Sequence, residues 1–432
     1  MLLGGWLRLA APGGALLALL AGGLFMSAIG MCYAELAARM PRAGGELRYA
    51  LETLGPKVAF TVGWFLTLFL VAICAFEGTA LAWLSSLLLP ARHPMTVYHL
   101  LGEAVTGYDL AVGCGGAAVT CALNLSGLRV SVLIQRLITY SFIALMAALI
   151  VAGLVFGDVS RLQPLFSPPE GKSWLLGSSW IFATCAMLLY GFQTSLYLIE
   201  ERAPDVDVRA ATMCMVFGII VAAAFYAAVV LSACSIVPWR SILVADLPSV
   251  AAFDALYPGG MIKRLILIVA IFSLGKTWNA IIMMASRLVL AQSQAALLPA
   301  MFGRLDVRGR TPTNAILLVT GASIMGIFLG RGAIVPIVNM ATICVSMVIV
   351  LMVIALAIHR RREPSPGFSV PAGSFTVPFC LTGAALMAAF ALFQPLWLRH
   401  GIPLEWKLIA LWAALGLGFR SVMRTEARCR KA

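Results

Sequence analysis

Long apolar stretches recur along the whole of this 432-residue chain, and they limit its fold more than any other feature. Hydrophobic residues make up 61% of the sequence and charged residues only 11%, whereas soluble domains carry about 25% charged residues. A stretch of roughly 18 or more apolar residues is long enough to cross a bilayer as an α-helix. The sequence therefore predicts an all-α polytopic membrane protein.

Hydropathy predicts about eleven membrane spans joined by short polar connections. The predicted spans lie near residues 13–34, 58–88, 108–124, 131–156, 177–199, 211–237, 262–290, 314–330, 333–358, 375–396 and 404–420. Two outer connections are expected to contain short interfacial helices, around Met95–Glu103 and Ser249–Leu256.

The distribution of Lys and Arg predicts the orientation of these spans. Of 31 such residues, 20 fall in connections on one side of the spans, 10 fall on the other, and Lys276 lies within a span. The richer side, which includes the C-terminus, is expected to be cytoplasmic. An odd number of spans then places the N-terminus outside without a signal sequence. Either the count is wrong by one or a helix that precedes Met1 is missing, and we expect the missing helix. Arg and Ala richness favours a bacterial inner (plasma) membrane.

The net charge of +13 does not indicate a nucleic-acid partner, because the basic residues lie between the spans and are not interleaved with aromatic residues. The ten cysteines lie almost all within apolar stretches and form no CxxC pair, and the four histidines lie in or beside connections. The sequence therefore predicts neither a metal site nor a cofactor. The expected partners are the lipid bilayer and a small-molecule substrate.

The stretch Ile181–Pro204 differs from an ordinary span at its centre, where Tyr190, Gly191, Phe192 and Gln193 interrupt the apolar sequence. A Gly beside a polar amide allows a membrane helix to unwind, and the freed backbone groups are tolerated where they face a cavity or a ligand. Phe192 is then a candidate aromatic gate and Gln193 a candidate hydrogen-bonding group. The alternative is a Gly that lets two helices pack closely.

Two charged residues, Glu77 and Lys276, lie deep within predicted spans. A charge at the bilayer centre costs about 2.5–3.5 kcal/mol on insertion scales, so such residues are candidate functional groups. Ser273, Thr277 and Asn279 follow helical spacing around Lys276 and predict one polar stripe. Glu77 and Lys276 are interpreted as a structural ion pair or as coupling groups, with Glu77 accepting a proton or Lys276 replacing a coupling cation.

A second group of charges marks the predicted cytoplasmic ends of two spans. Glu35 lies near Arg39, and Glu200 and Glu201 lie beside Arg202. These side chains are candidates for a cytoplasmic gate of ion pairs, and ordinary interfacial charges would give the same pattern.

Five stretches, in order, resemble the amino acid–polyamine–organocation (APC) superfamily of permeases over nearly the whole chain. They are YAELAARMPRAGGELRYALETLGP at Tyr33–Pro56, LNLSG at Leu123–Gly127, Gly191-Phe192 through Glu200-Glu201 to Pro204, Trp278-Asn279 through Ser286-Arg287 to Leu298-Pro299, and Thr311-Pro312.

The resemblance implies a LeuT-type fold, which has a five-plus-five inverted repeat and here two extra C-terminal helices. The first and sixth helices of that fold are broken and hold substrate between them. Ile181–Pro204 matches the sixth helix, and the first helix is expected to be missing. Residues 1–163 would form the rest of the first repeat, 164–362 the second repeat, and 363–432 the C-terminal helix pair with a basic cytoplasmic tail.

The sequence and the resemblance together predict a secondary transporter for an amino acid or related amine, driven by protons or by exchange. The expected substrate-binding residues are Tyr190, Gly191, Phe192, Gln193 and Asn279. The spans contain no Ser/His/Asp or Glu/His constellation, so we do not expect an enzyme. A truncated, non-transporting permease remnant or a membrane sensor is the alternative.

Overall fold

The structure, a computed structural model, describes residues 2–40, 44–89, 95–127, 132–169, 173–193, 208–257, 259–306, 311–362, 368–398 and 401–429. These residues form thirteen α-helices and one β-hairpin. In chain order the elements are α1 (Leu3–Arg39), α2 (Gly45–Thr53), α3 (Pro56–Leu88), β1 (Thr96–Leu100), β2 (Glu103–Thr106), α4 (Gly107–Leu125), α5 (Val132–Phe156), α6 (Trp174–Leu188), α7 (Val208–Ile236), α8 (Pro248–Asp254), α9 (Met261–Gln294), α10 (Thr313–Ile327), α11 (Ile334–Arg362), α12 (Gly373–Leu398) and α13 (Leu404–Cys429).

The predicted all-α membrane class is confirmed. Within the described ranges, nine helices are long and apolar enough to cross a membrane, and α10 is a shorter apolar helix. Each of the eleven predicted spans coincides with one of these helices or with α13 for at least part of its length. The number of spans itself stays a prediction, because α10 is shorter than a full span and α13 is not among the nine long apolar helices.

Helix α1 begins ten residues before the predicted first span and is interrupted near its start. Ala11 has φ 56° and ψ 175°, which is outside helical geometry, and Pro12 follows it. A proline disfavours helical geometry in the residue before it and removes one backbone donor. The backbone N–H of Gly13 instead donates to the carbonyl of Leu165 at 2.8 Å. The continuous part of α1 therefore begins close to residue 13, where hydropathy predicts the span.

Local residues set the starts of the next two long helices. Gly55 adopts φ 86° and Pro56 occupies the first helical position of α3, where its missing N–H costs little. Helix α4 begins with a capping box, in which Thr106 Oγ1 accepts from the Asp109 N–H at 3.1 Å and the Thr106 N–H donates to Asp109 Oδ2 at 3.0 Å. The N-terminal ends of α3 and α4 are thus fixed by the residues next to them.

The prediction of an interfacial helix around Met95–Glu103 is wrong, because these residues form an antiparallel hairpin of β1 and β2. The turn residues Leu101 and Gly102 both have positive φ, 53° and 81°, which matches the twist of a two-residue hairpin turn. β-branched and aromatic residues dominate β1 and favour a strand over a helix. A helix is confirmed at the other expected position, Ser249–Leu256, where α8 covers Pro248–Asp254. Its location at the membrane interface stays a prediction.

The chain divides into two compact units, each assembled from separate parts of the sequence. The first unit comprises residues 1–45, 139–269 and 352–394, and the second comprises 46–138, 270–351 and 395–432. The division into 1–163, 164–362 and 363–432 describes predicted repeats and stays a prediction.

In the first unit, α1 packs between α6 and α7 through small residues. A Cβ added at Gly22 would lie 2.4 Å from the sulfur of Cys185, and one added at Gly23 would lie 2.2 Å from the Cβ of Ala223. Such close approach of helices is typical of membrane proteins, where dispersion contacts rather than water exclusion hold helices together.

In the second unit, α3 packs against α4 and α10 in the same way. A Cβ added at Gly78 or Gly113 would lie 2.6 or 2.7 Å from Ile327 of α10. Trp278 of α9 is fully buried and lies against Gly78 and Gly116.

Candidate functional site

The helix that contains the start of Ile181–Pro204, α6, ends at Leu188, before the polar residues of that stretch. Leu189 leaves helical geometry with φ −107° and ψ 7°, and Tyr190–Phe192 form a 3₁₀ turn. The narrower 3₁₀ turn changes the direction in which the following side chains point. Residues 194–207 lie outside the described residues.

Gly191 is exposed, and a Cβ added to it would meet no described atom within 4 Å. Its neighbourhood therefore differs from that of Gly22 or Gly23, where a methyl group would collide with the facing helix. The described residues give no support to the alternative that Gly191 serves close helix packing.

Two aromatic residues of this turn, Tyr190 and Phe192, pack with Tyr33 of α1. We call these three residues the aromatic cluster. The ring centroids of Tyr33 and Phe192 lie 5.3 Å apart, those of Tyr190 and Phe192 5.7 Å, and those of Tyr33 and Tyr190 6.5 Å. All three pairs are edge-to-face, an arrangement worth about 0.5–1.5 kcal/mol per pair beyond burial. Tyr33 comes from α1 and was not predicted as a site residue, because nothing in the sequence pairs positions 33 and 192.

Gln193 follows the aromatic cluster and is 3% exposed. Its side-chain Oε1 has no hydrogen-bond partner among the described residues. A buried acceptor left without a donor costs about 1–3 kcal/mol. Such an atom is well suited to accept a hydrogen bond from a bound polar solute, which would remove that cost.

In the second unit, the predicted intramembrane charges lie on α3 and α9. Glu77 is 5% exposed, and its Oε2 has no hydrogen-bond partner in the described part of the chain. The ion pairs of the described residues do not include one between Glu77 and Lys276. Lys276 is half-buried. The roles predicted for these two residues as a pair or as coupling groups stay predictions.

One residue of the predicted polar stripe around Lys276, Asn279, contacts the neighbouring helix α4. Asn124 Nδ2 donates to Asn279 Oδ1 at 2.9 Å and also to the carbonyl of Thr120 at 2.9 Å. Thr277 Oγ1 donates to the Ser273 carbonyl at 3.0 Å. The Oδ1 atom of Asn279 is thus already used within the second unit, and the substrate role predicted for Asn279 stays a prediction.

Of the predicted gate residues, the structure describes Glu35, whereas Glu200, Glu201 and Arg202 lie outside the described residues. Glu35 is fully buried. Its carboxylate accepts from Arg39, as the sequence suggested, and also from Arg360 and the backbone N–H of Val370. Neither of these last two partners was predicted, because they lie more than 300 positions away.

Among the residues that the structure describes, no group of three or more His, Cys, Asp and Glu side chains is placed to hold a metal ion. The chemistry available at Tyr190–Gln193 and at Glu77 is hydrogen bonding, aromatic contact and proton acceptance.

The long apolar helices define a multi-pass membrane protein, and comparison with known proteins gives its family. The amino acid permease family model matches residues 3–419. The chain therefore belongs to the amino acid permeases of the APC superfamily, which confirms the resemblance drawn from its motifs. Members of this family are transporters rather than enzymes.

Curated relatives carry transporter names. The chain is 26% identical to the methylthioribose transporter of Bacillus subtilis (strain 168), covering 91% of this chain and 82% of the relative. It is 25% identical to cationic amino acid transporter 4 of Mus musculus and 22% identical to the γ-aminobutyric acid permease of Escherichia coli (strain K12). The matches cover 78% and 72% of this chain, and 53% and 64% of those two relatives.

Proposed function

We propose that this protein is a secondary active permease for an amino acid or a related amine, driven by protons or by exchange. The observation that carries the proposal is the end of α6 at Leu188, directly before Tyr190 and Phe192 of the aromatic cluster and before Gln193, whose Oε1 has no partner among the described residues. Membrane transporters of the broken-helix type hold small polar substrates where a helix is interrupted near mid-membrane.

In this proposal the 3₁₀ turn at Tyr190–Phe192 and Gln193 bind the polar part of the substrate. The Gln193 Oε1 accepts a hydrogen bond from an ammonium or amide donor, and the ring of Phe192 covers the substrate. Rocking of the bundle around this point alternates access between the two sides of the membrane. The protein works in an inner (plasma) membrane with its C-terminus in the cytoplasm.

The relatives define the substrates to be tested first. They are named for methylthioribose, cationic amino acids and γ-aminobutyric acid. Uptake by proteoliposomes should be measured with these solutes and with a panel of labelled neutral amino acids. Saturable uptake of at least one amino acid or amine is expected, and its absence across the panel would contradict the proposal.

Substitution of Gln193 tests the binding site itself. We expect Gln193→Leu to raise the KM of uptake by about tenfold, which corresponds to about 1.4 kcal/mol and to the loss of one hydrogen bond to the substrate.

Gln394→Leu is the matched control for that experiment. Gln394 lies on α12 in the same unit and is 4% exposed, and both of its amide atoms lack partners among the described residues. Its substitution also removes a buried, unpartnered amide, and we expect it to leave KM unchanged. Equal effects of the two substitutions would show that Gln193 has no particular role in binding.

A further inference from the structure

The carboxylate of Glu35 is the centre of a buried ion cluster near the end of α1. Glu35 Oε1 accepts from Arg39 Nε and from Arg360 Nε, both at 2.8 Å, and Glu35 Oε2 accepts from the Val370 N–H at 2.8 Å and from Arg360 Nη2. Arg39 Nη2 lies 2.7 Å from Oε1. We call Glu35, Arg39, Arg360 and the Val370 N–H the Glu35 cluster. The contact between Glu35 and Arg360 is bidentate, which is the most directional form of carboxylate recognition.

The cluster joins α1 to the end of α11 and to the segment before α12. Arg39 is one helical turn from Glu35, but Arg360 and Val370 are 325 and 335 positions away in the sequence. Gly373, at the start of α12, allows the guanidinium of Arg360 to lie in place, since a Cβ at Gly373 would be 2.1 Å from Arg360 Nη1.

Further contacts show that α12 follows α1 in the antiparallel direction. The side chain of Cys32 on α1 lies close to that of Cys380 on α12. Phe25 packs against Phe379 with 5.7 Å between ring centroids, and a Cβ at Gly383 would lie 2.2 Å from the Phe25 ring. Residue numbers rise along α1 as they fall along α12. The Glu35 cluster lies at one end of the contact between these two helices.

Tyr33 of the aromatic cluster lies two residues before Glu35 on the same helix. Two residues of an α-helix turn by about 200°, so side chains at positions 33 and 35 point to nearly opposite sides of α1. One side contacts Tyr190 and Phe192, and the other contacts Arg360. A rotation of α1 by about 10° would move the Tyr33 ring by about 1 Å, a displacement that can change the fit of a ligand strongly.

We propose that Arg360 and Glu35 are positioning residues, which hold α1 in the rotation that keeps Tyr33 against Tyr190 and Phe192. The proposal rests on the proposed function for its effect on the substrate. It gives Glu35 a fixed structural partner in place of the opening and closing gate expected from the sequence, because the carboxylate already accepts hydrogen bonds on both oxygens. In this way α12, one of the two extra C-terminal helices predicted from the sequence, affects substrate binding through its contact with α1.

A fluorine probe at position 33 tests this arrangement without any substrate. Tyr33 is replaced by 4-fluorophenylalanine in the full-length protein, and the ¹⁹F resonance is recorded in detergent micelles. Phe192→Leu provides the reference for the loss of a neighbouring ring. We expect Arg360→Met to shift and broaden the resonance, because α1 is no longer held in one rotation.

Arg361→Met is the matched control, since Arg361 is an exposed arginine in the same last turn of α11. It removes the same charge and should leave the resonance at its original position. If Arg360→Met prevents folding, Arg360→Lys and Gly373→Val test the same contact, the first with the charge kept and the second with Arg360 intact but displaced. A resonance that stays unchanged in the folded variants at positions 360 and 373 would overturn the proposal.

Uptake separates the positioning role from a general loss of structure. For any solute that the unmodified protein transports, we expect Arg360→Lys to raise KM by about tenfold with little change in the maximal rate per folded molecule, as a displaced binding group would. In a double-mutant cycle with Tyr33→Leu, the effects of the two substitutions on KM should not add. A shifted ¹⁹F resonance in a protein that takes up none of the tested solutes would support the positioning role while contradicting the proposed function.

Discussion

Glu77 and Glu405 are two buried carboxylates of the second unit whose surroundings differ. Glu405, at the start of α13, is fully buried and accepts a hydrogen bond from Asn339 Nδ2 at 3.0 Å on Oε1. Glu77 lies within α3, and its Oε2, like that of Glu405, has no hydrogen-bond partner among the described residues. Glu77 lies in the interior of an apolar span, whereas Glu405 lies in the first turn of α13. An ionisable residue inside a span is a candidate functional group, so Glu77 is the better candidate for proton coupling.

We expect Glu77→Gln to abolish the stimulation of uptake by an inward proton gradient, because an amide cannot accept and release the proton. Exchange of internal for external substrate at equal pH should persist if Glu77 serves only the proton. The measurement is uptake by proteoliposomes across a series of external pH values, with and without a pH gradient.

Glu405→Gln is the control for this experiment, since its Oε2 is also buried without a partner in the described part of the chain and its amide can still accept from Asn339. It should keep the pH profile of the unmodified protein. A Glu77→Gln profile identical to that of the unmodified protein would rule out the proton role.

Single residues were predictable from the sequence where their own type was unusual for their position. A carboxylate within an apolar span and an amide beside a Gly are unusual residues at those positions, so the sequence predicts Glu77 and Gln193 as candidates. Their surroundings were not predictable, because the partners of a membrane residue come from other helices. Arg360 appears in the sequence as one of three consecutive arginines, and only the fold distinguishes it from Arg361 by placing it against Glu35.

At the scale of elements, α13 is attached to α3 by a reciprocal pair of tryptophans. Trp64 Nε1 donates to the Trp412 carbonyl at 2.8 Å, and Trp412 Nε1 donates to the Trp64 carbonyl at 2.9 Å. Their rings stack with centroids 4.6 Å apart. Gly416 makes room for this contact, since a Cβ there would lie 2.5 Å from Trp64 Nε1.

We expect Trp64→Phe and Trp412→Phe each to lower the stability of the protein by about 1–2 kcal/mol, through loss of one hydrogen bond and part of the ring contact. Thermal melting in detergent micelles measures the effect. Trp83→Phe is the control, because Trp83 Nε1 has no partner among the described residues and its substitution loses no hydrogen bond. Melting temperatures that fall equally in all three variants would contradict the role of the pair.

The helices of the bundle were predictable because each needs only a long run of apolar residues, which is a local property of the chain. The hairpin at Thr96–Thr106 was not, although its turn at Leu101-Gly102 was visible in retrospect. Its strands are short and are held by distant groups. Tyr98 donates its hydroxyl to the Phe328 carbonyl, and Arg331 contacts Glu103 with two nitrogens, at 3.0 and 2.7 Å.

At the scale of the whole molecule, the asymmetry of basic residues predicts which side of the membrane each terminus occupies. We expect green fluorescent protein fused after Ala432 to fluoresce and alkaline phosphatase at the same point to be inactive, because that end lies on the side with 20 of the Lys and Arg residues. Fusions after Ser167, in a connection predicted to lie outside, should give the opposite pair of results. Active phosphatase at Ala432 would reverse the orientation.

The contact between Glu35 and the C-terminal part of the chain has a consequence for biosynthesis. Val370 is made 335 residues after Glu35, which at typical rates of translation is roughly 17–67 s later. Throughout that interval the nascent helix α1 carries an acidic group whose distant partners do not yet exist. The final packing of α1 therefore requires the chain to be synthesised beyond Val370, and ribosomes stalled before residue 360 would hold an α1 whose Glu35 can pair only with Arg39.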